Sequence, residues 1–427
     1  MKPSGVEWIG DIPEGWRVSR IGAEYSLTLG KMIESVPTTG KSLVPYVSAV
    51  NLKWGGLDAS VQKEMYFSPS EMREYALKMG DVLITEGGSI GTTCAYRGEF
   101  GPCGIQNSVI RARGEDDAKN RYLVYWMEFV AHSGFLDTVC NRATIAHYTK
   151  EKVAHTPIVI PGNLSDVVGV LESSCGEIDS AVQQLNHQIS ILERYKSSLI
   201  HETVTKGLDR DVPTRPSGVE WIGEVPAHWH VRKLKHVSLM KTGQTPPSDR
   251  LEYYDGDVKW FTPGDLNDDV VSDSSRTISE LAIHDGMAPL NPAGCVLMVG
   301  IGATAGKTGY TTVEGSTNQQ ITSLIADRSQ LNSKYLFYMM RDCRQPLRDN
   351  ALYTTLPIIN NQFLGNWVIP VPPVQEQSQI ADYLDARCSR IDRILDLKRR
   401  QVDVLRHRRQ SLIYEYVTGK RRVGQEA

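Results

Sequence analysis

The chain has no uninterrupted apolar run of the roughly 18 residues that a membrane span needs, and its first residues, MKPSGVEWIG, lack the apolar core of a signal peptide. The cytoplasm is the expected location, with no membrane partner. The seven cysteines (94, 103, 140, 175, 295, 343 and 388) are scattered, odd in number and never spaced CxxC. That pattern indicates neither a disulfide framework nor a zinc site, and no metal or other cofactor is expected. The ten histidines form no HExxH pattern, and there is no GxSxG elbow, so the common hydrolase signatures are missing. Net charge is also scarce, because 47 Lys+Arg against 50 Asp+Glu leave −3. A chain that coats nucleic acid without regard to sequence draws its energy from neutralised phosphates, and this one lacks the charge for it. What remains is an ordinary globular composition, 41% hydrophobic and 23% charged, long enough at 427 residues for two or three domains.

What the sequence does have is itself, twice. PSGVEWIGDIPEGWRVSRI at 3–21 returns as PSGVEWIGEVPAHWHVRKL at 216–234, an offset of 213 residues, half the chain. The same offset relates Cys175, Ile178, Asp179, Leu199, Ile200 and Glu202 to Cys388, Ile391, Asp392, Leu412, Ile413 and Glu415. Fainter echoes lie between: PYVSAVNL (45–52) with KWFTPGDL (259–266), GDVLITEGGSIG (80–91) with AGCVLMVGIGATAG (293–306), and IQNS (105–108) with TNQQ (317–320). Each half therefore holds a repeated opening box, a divergent body, a VIP tripeptide (159–161; 368–370) and a tail. Connectors that stayed alike while bodies drifted apart fit a shared structural job for the first and different targets for the second. A duplication that serves stability alone is the simpler alternative.

The tails carry a heptad pattern. Leu171, Cys175, Ile178, Val182, Leu185, Ile189, Leu192 and Leu199 step by fours and threes, with Lys196 in the one polar position. Their counterparts are Leu384, Cys388, Ile391, Leu395, Lys398, Val402, Leu405, Arg409 and Leu412. This is the seam of a coiled coil. Each helix should run about 40 residues, or about 60 Å at 1.5 Å per residue. Residues 165–209 sum to −4 and residues 387–422 to +8, so the tails favour pairing with each other over self-association. Two equivalent halves about an approximate two-fold axis would set the pair antiparallel with a body at each end. Part of the basic stretch 398–409 could instead be a solvated face, or meet phosphate or an acidic partner.

The bodies read as mixed α/β, with short β-branched runs such as DVLIT and ITSLIA and short helices near 118–131 and 332–343. Their glycine loops are near misses for nucleotide sites. Residues 300–305 fit a relaxed dinucleotide fingerprint but lead into turn- and strand-like sequence, and GATAGKT (302–308) is one residue short of a phosphate loop. The equivalent EGGSIGTT has no lysine, so a β-turn is expected in both. Thr245–Pro246–Pro247–Ser248 departs at both ends from the Asn/Asp-Pro-Pro-aromatic tetrapeptide of amino-methyltransferases. Polar clusters suit base edges and phosphates better. In the first half they are Lys31, Gln106, Asn107, Arg111, Arg113, Asn141, Arg142, His147, Tyr148 and Lys150; in the second, Gln244, Lys307, Asn318, Gln319, Gln320, Asn360 and Asn361. Any one such cluster can equally be an ordinary surface loop.

Taken together, the box SGVEWIGxxPxxW at 4–16 and 217–229, the duplication, and VIPVPPVQEQSQI (368–380) leading into a heptad helix resemble the specificity subunit of type I restriction-modification systems over nearly the whole chain. The first half departs from that pattern, since PGNL (161–164) lacks both the Pro-Pro and the Glu-Gln. The resemblance implies an α+β fold with two mixed α/β target-recognition domains, separated by two long antiparallel helices that form a coiled coil with pseudo-two-fold symmetry. The segments would be conserved pieces at 1–19 and 210–232, recognition domains at 20–163 and 233–373, and conserved helical regions at 164–209 and 374–422. It implies a non-catalytic subunit that binds a bipartite asymmetric site in double-stranded DNA. Two modification (methyltransferase) subunits would dock on it, and restriction/translocase subunits would join the full complex. Half-sites one duplex turn apart lie roughly 34–36 Å from each other, a separation that helices of this length can impose. The alternatives are a two-headed protein-interaction scaffold without DNA binding, and an enzyme using the glycine loop near Lys307.

Overall fold

The computed structural model describes residues 1–37, 39–140, 147–353 and 356–424. They gather into two compact units, Met1–Asn186 with Arg400–Ala427, and His187–Arg399.

In the first unit a four-stranded antiparallel sheet runs in the order Thr93–Ala95, Val82–Thr85, Val109–Arg113, Ser26–Leu29. The strand Val82–Thr85 is buried along its whole length because both sheet faces are covered. Strand side chains alternate faces. Val82 and Ile84 therefore enter a core with the helix Asp117–His132, while Leu83 enters a second core with Val47, Leu52 and Ile105. The helix opens on Asp116, whose side chain accepts from the Lys119 amide, and buries Leu123, Trp126, Met127 and Val130 at helical spacing. A smaller sheet covers the other face, with Ser42–Val47 between Lys63–Phe67 and Gly104–Ile105.

The second unit repeats the plan with one more strand. Its sheet runs Ser238–Thr242, Ile321–Ala326, Val296–Val299, Thr308–Thr311, Asp269–Val271. Val296 and Met298 face the helix Ser333–Asp342, while Leu297 and Val299 face Phe261 and Leu266. Both short helices lie within a residue or so of the expected spans. The glycine loops close antiparallel hairpins, Gly91 N to Thr85 O in one and Gly306 N to Val299 O in the other, with strands on both sides. Neither opens a helix, so neither forms a phosphate cradle.

The repeated box explains itself locally. Ser4 Oγ and Ser217 Oγ each accept from the amide two residues on, Val6 and Val219, and donate back to the same residue's carbonyl, at 3.1 Å in every case. The chain then turns into a short hairpin, Lys2–Pro3 with Asp11–Ile12 and Thr214–Pro216 with Glu224–Pro226. The strand after each box pairs with the VIP strand, Arg17–Arg20 with Pro157–Ile160 and His230–Lys233 with Val368–Val371.

Two long helices follow, Leu164–Lys206 and Val374–Val417. In the second unit Lys196 pairs with Asp392 and Lys398 Nζ donates to Gln188 Oε1 at 2.6 Å, so partner numbers fall as residue numbers rise and the helices run antiparallel. In the first unit Arg409 meets Asp179 at 2.9 Å, at the counterpart positions. Lys196 and Arg409, and Asp392 and Asp179, are each 213 residues apart. The polar seam position of each helix is thus answered by the same aspartate of the other. Of the predicted seam, Leu171, Ile178, Leu384, Ile391, Leu395, Val402 and Leu412 are buried, and Val182, Leu185, Ile189, Leu192 and Leu405 are half-buried.

Each helix end is fastened in the same way. Gly207 (φ +76°) and Gly419 (φ +70°) turn the chain out of the helix. A Cβ on either would stand 3.0 Å from the ring of a box tryptophan, Trp229 or Trp16. One turn earlier a buried tyrosine ties the helix to the VIP strand. The Tyr335 hydroxyl is 3.0 Å from both Val204 O and Pro370 O, and the Tyr122 hydroxyl is 2.7 Å from Val159 O and 3.3 Å from Val417 O. In the second unit Glu376 also accepts from Trp229 Nε1 at 2.9 Å, and the fully buried Gln377 accepts from Asn332 N and donates to Pro372 O, both at 2.7 Å. The first half lacks this Glu-Gln pair, and Asn163 O instead accepts from Asp166 N and Val167 N at the helix start.

One fastening titrates. His201 Nδ1 lies 2.9 Å from an Asp342 carboxylate oxygen, and this hydrogen bond raises the imidazole above its usual value against the opposing effect of burial. A raised folded-state pKa contributes stability that is complete below the unfolded value of roughly 6.5 and is lost as pH climbs through the folded one. The histidine side chain is 42% exposed, so screening holds the contribution under about 1 kcal/mol. The urea midpoint should therefore fall slightly between about pH 6 and 8, and His201→Asn should remove that part of the slope; an unchanged slope in the variant would assign it elsewhere.

All seven cysteines are buried free thiols. Among the described residues no helix is long and apolar enough to cross a membrane, and no cluster of His, Cys, Asp and Glu could hold a metal ion.

Candidate nucleic-acid interface

Four backbone segments converge at one edge of each unit. In the first, Lys31 N donates to Ile105 O and Asn107 N to Lys31 O, both at 2.9 Å. Glu86 N reaches Ser108 O at 2.9 Å, and Tyr148 N reaches Glu86 O at 2.7 Å. In the second, Gln244 N donates to Thr317 O at 2.9 Å, Gly300 N to Gln320 O at 2.7 Å and Ile359 N to Gly300 O at 2.7 Å. The junction admits only glycine at Gly30 and Gly243, where a Cβ would stand 2.3 Å from Gln106 O and 2.2 Å from Thr317 O. The strand end, the glycine hairpin, the IQNS or TNQQ turn and the lead-in to a short helix are thereby held side by side.

These edges hold only part of the residues singled out by sequence. Gln106 and Asn107 are half-buried neighbours. The Gln106 amide donates to Asn107 Oδ1, and its carbonyl accepts from Ser108 N at 3.2 Å. Lys150 begins the short helix Lys150–His155. In the second unit Gln244, Gln319, Gln320 and Asn360 are exposed; Thr245 Oγ1 donates to Gln319 Oε1, and Asn360 Oδ1 caps the helix Asn361–Asn366 through Phe363 N at 2.8 Å. Asn361 Oδ1 accepts from Thr322 at 3.0 Å, leaving its NH2 group to donate outward. Asn318 is buried and braces Gln320, accepting from its amide N at 3.1 Å. Lys307 sits half-buried at the far end of the glycine hairpin.

Four expectations are corrected. Tyr148 is wholly buried, its hydroxyl 2.6 Å from Thr156 Oγ1, and burial pushes its pKa up. Arg111 is buried and donates to Glu74 O at 2.8 Å, Ala76 O at 2.9 Å and Thr28 Oγ1 at 2.9 Å. Arg113 grips the buried Asp81 with two bonds of 2.6 and 2.7 Å. Lys31 is buried against Tyr66 O, Glu34 and Glu71 at 2.6, 2.7 and 2.9 Å. Arg113 and Lys31 are thus neutralised by carboxylates of their own unit, and Arg111 is taken up by neutral oxygens of the same unit. Asn141 and Arg142 lie outside the described residues. Sequence reading took Thr245 only as part of a near-miss tetrapeptide and Glu86 only as part of a glycine loop; Thr245 orients Gln319, and Glu86, half-buried in the first edge, has its carboxyl pKa raised by burial.

Residues 226–402 match the family model of the type I restriction modification DNA specificity domain. The type I restriction enzyme MjaIX specificity subunit of Methanocaldococcus jannaschii is 30% identical over 192 residues, 43% of this chain and 42% of that protein, so the alignment spans less than half of either. The MjaVIII specificity subunit of the same organism is 24% identical over 439 residues, 96% of this chain and 94% of its own. A solved chain from work on the complex assembly and conformational transition of the type I restriction-modification system superposes with a TM-score of 0.69 at 19% identity, covering 96% of this chain and 100% of that one, and so shares the fold. With the twice-used box and the paired long helices, the chain is similar over nearly its whole length to the specificity subunits of type I restriction-modification systems, and its residues 226–402 match their DNA specificity domain.

Proposed function

We propose that the chain reads a bipartite, asymmetric site in duplex DNA, one half per unit, through recognition domains spanning 20–163 and 233–373. Its two helical regions, 164–209 and 374–422, hold the half-sites at a fixed spacing and dock two modification subunits. The observation that carries this reading is a single duplicated framework presenting two unlike polar edges. In the second unit Gln244, Gln319, Gln320, Asn360 and Asn361 supply carboxamides, the group that pairs bidentately with adenine N6 and N7. In the first, Gln106, Asn107, His147 and Lys150 make a different set. With Lys31, Arg111 and Arg113 committed inward, affinity leans on base contacts, and further grip on phosphate falls to the partner subunits. A specificity subunit recognises DNA and is not itself catalytic, so methyl transfer, translocation and cleavage belong to partners.

The assembled complex should bind a duplex carrying the sequence methylated in its host, with affinity falling steeply as salt rises. Gln319→Ala with Gln320→Ala should weaken that binding by about tenfold or more, the cost of a lost bidentate contact. Intact assembly without duplex binding at roughly 50 mM salt would overturn the reading in favour of a protein scaffold.

A further inference from the structure

Directly after Lys31, the first edge continues into a surface loop unlike anything in its second-unit counterpart. Met32, Ile33 and Val36 are 74%, 60% and 70% exposed, three large apolar side chains within five residues. Apolar groups gathered on a surface mark a contact site. The loop is also braced. Lys31 meets Glu34 at 2.7 Å and Glu71 at 2.9 Å, Lys41 meets Glu34 at 2.6 Å and Glu71 at 3.3 Å, and Tyr66 N donates to Glu34 O at 3.0 Å. Two lysines and two glutamates thus close a ring that pins both ends, so Met32 and Ile33 are presented by a fixed backbone. The same backbone joins the edge, since Asn107 N donates to Lys31 O at 2.9 Å.

The second unit has Gln244, Thr245, Pro246, Pro247 and Ser248 in the equivalent stretch. That difference identifies the occupant. A subunit docking in two copies would need the same surface in both units, whereas the two halves of an asymmetric site call for different ones. An apolar side chain distinguishes bases in the major groove through the 5-methyl group of thymine.

We propose that Met32 and Ile33 form an apolar reader that packs on a thymine methyl group in the half-site recognised by the first unit. This rests on the duplex-reading function above. It requires an A·T pair in that half of the host's methylated sequence, once module exchange has shown which half it is. Replacing the relevant thymine by deoxyuridine removes only the methyl group and should weaken the wild-type complex about fourfold. Met32→Ser with Ile33→Ser should bind the natural duplex at least as weakly and show no further loss on that replacement, while Met32→Leu with Ile33→Leu keeps the methyl dependence. Replacements in the other half-site should affect wild type and variant alike. The proposal is overturned by a half-site without A·T pairs, by a serine variant as methyl-sensitive as wild type, or by a variant that loses partner assembly, which would make the loop a protein contact. A wild-type complex that binds no duplex would instead sink the parent reading.

Discussion

Exchanging residues 20–158 for the equivalent module of another specificity subunit should change one half of the methylated sequence and leave the other half untouched. The structure favours those junctions. Arg20 is paired with Pro157, and Ser19 with Ile158, so the graft begins and ends on adjacent residues of one strand pair and its ends are already closed. The box before it and the long helix after it keep their own fastenings, the Trp16–Gly419 contact and the Tyr122 hydroxyl on the Val159 carbonyl. Each mismatched base pair costs about 1–3 kcal/mol. Two mismatches within the old half-site should therefore reduce methylation there by about a hundredfold. Methylation sequencing of host DNA reads both halves at once. A change in both halves, or in neither, would show that the units do not read separately.

The framework was legible because it was written twice. The 213-residue offset located the box and the heptad seam, and the seam positions are buried or half-buried along Leu164–Lys206 and Val374–Val417. The interface was less legible, because a sequence shows which groups are present but not which partners they have already taken. Arg111 and Arg113 are matched by acceptors more than thirty residues upstream, Ala76 O and Asp81. One signal was available. Val82–Thr85 is apolar at every position before its threonine, so both faces of that sheet are covered. An arginine on the adjacent strand Val109–Arg113 therefore turns toward protein on whichever side it emerges. Tyr148 was unreadable for a different reason, since its partner Thr156 follows directly on a helix of only six residues, Lys150–His155, whose packing no periodicity marks.

Arg409 should be among the most costly residues of the helix pair to remove. Its side chain is 19% exposed and its ion-pair partner Glu128 only 12%, while a second partner, Asp179 at 2.9 Å, is 56% exposed. In Arg409→Met the methionine can lie in the seam and Asp179 can hydrate, but Glu128 is left as a carboxylate beneath the helix with nothing to neutralise it. Breaking a buried pair from one side costs about 3–5 kcal/mol, and the residual exposure points to the lower end. The expected loss of unfolding free energy in urea is therefore about 3 kcal/mol. Arg409→Met with Glu128→Met removes the stranded charge and should recover most of it, because a packed apolar pair is often as stable as the ion pair it replaces. The counterpart position provides the control. Lys196 is just as enclosed, but its partner Asp392 is 45% exposed and can turn to water, so Lys196→Met should cost only about 1 kcal/mol. Equal losses at the two positions, or a double variant no more stable than Arg409→Met, would mean that the stranded carboxylate is not what Arg409 guards against.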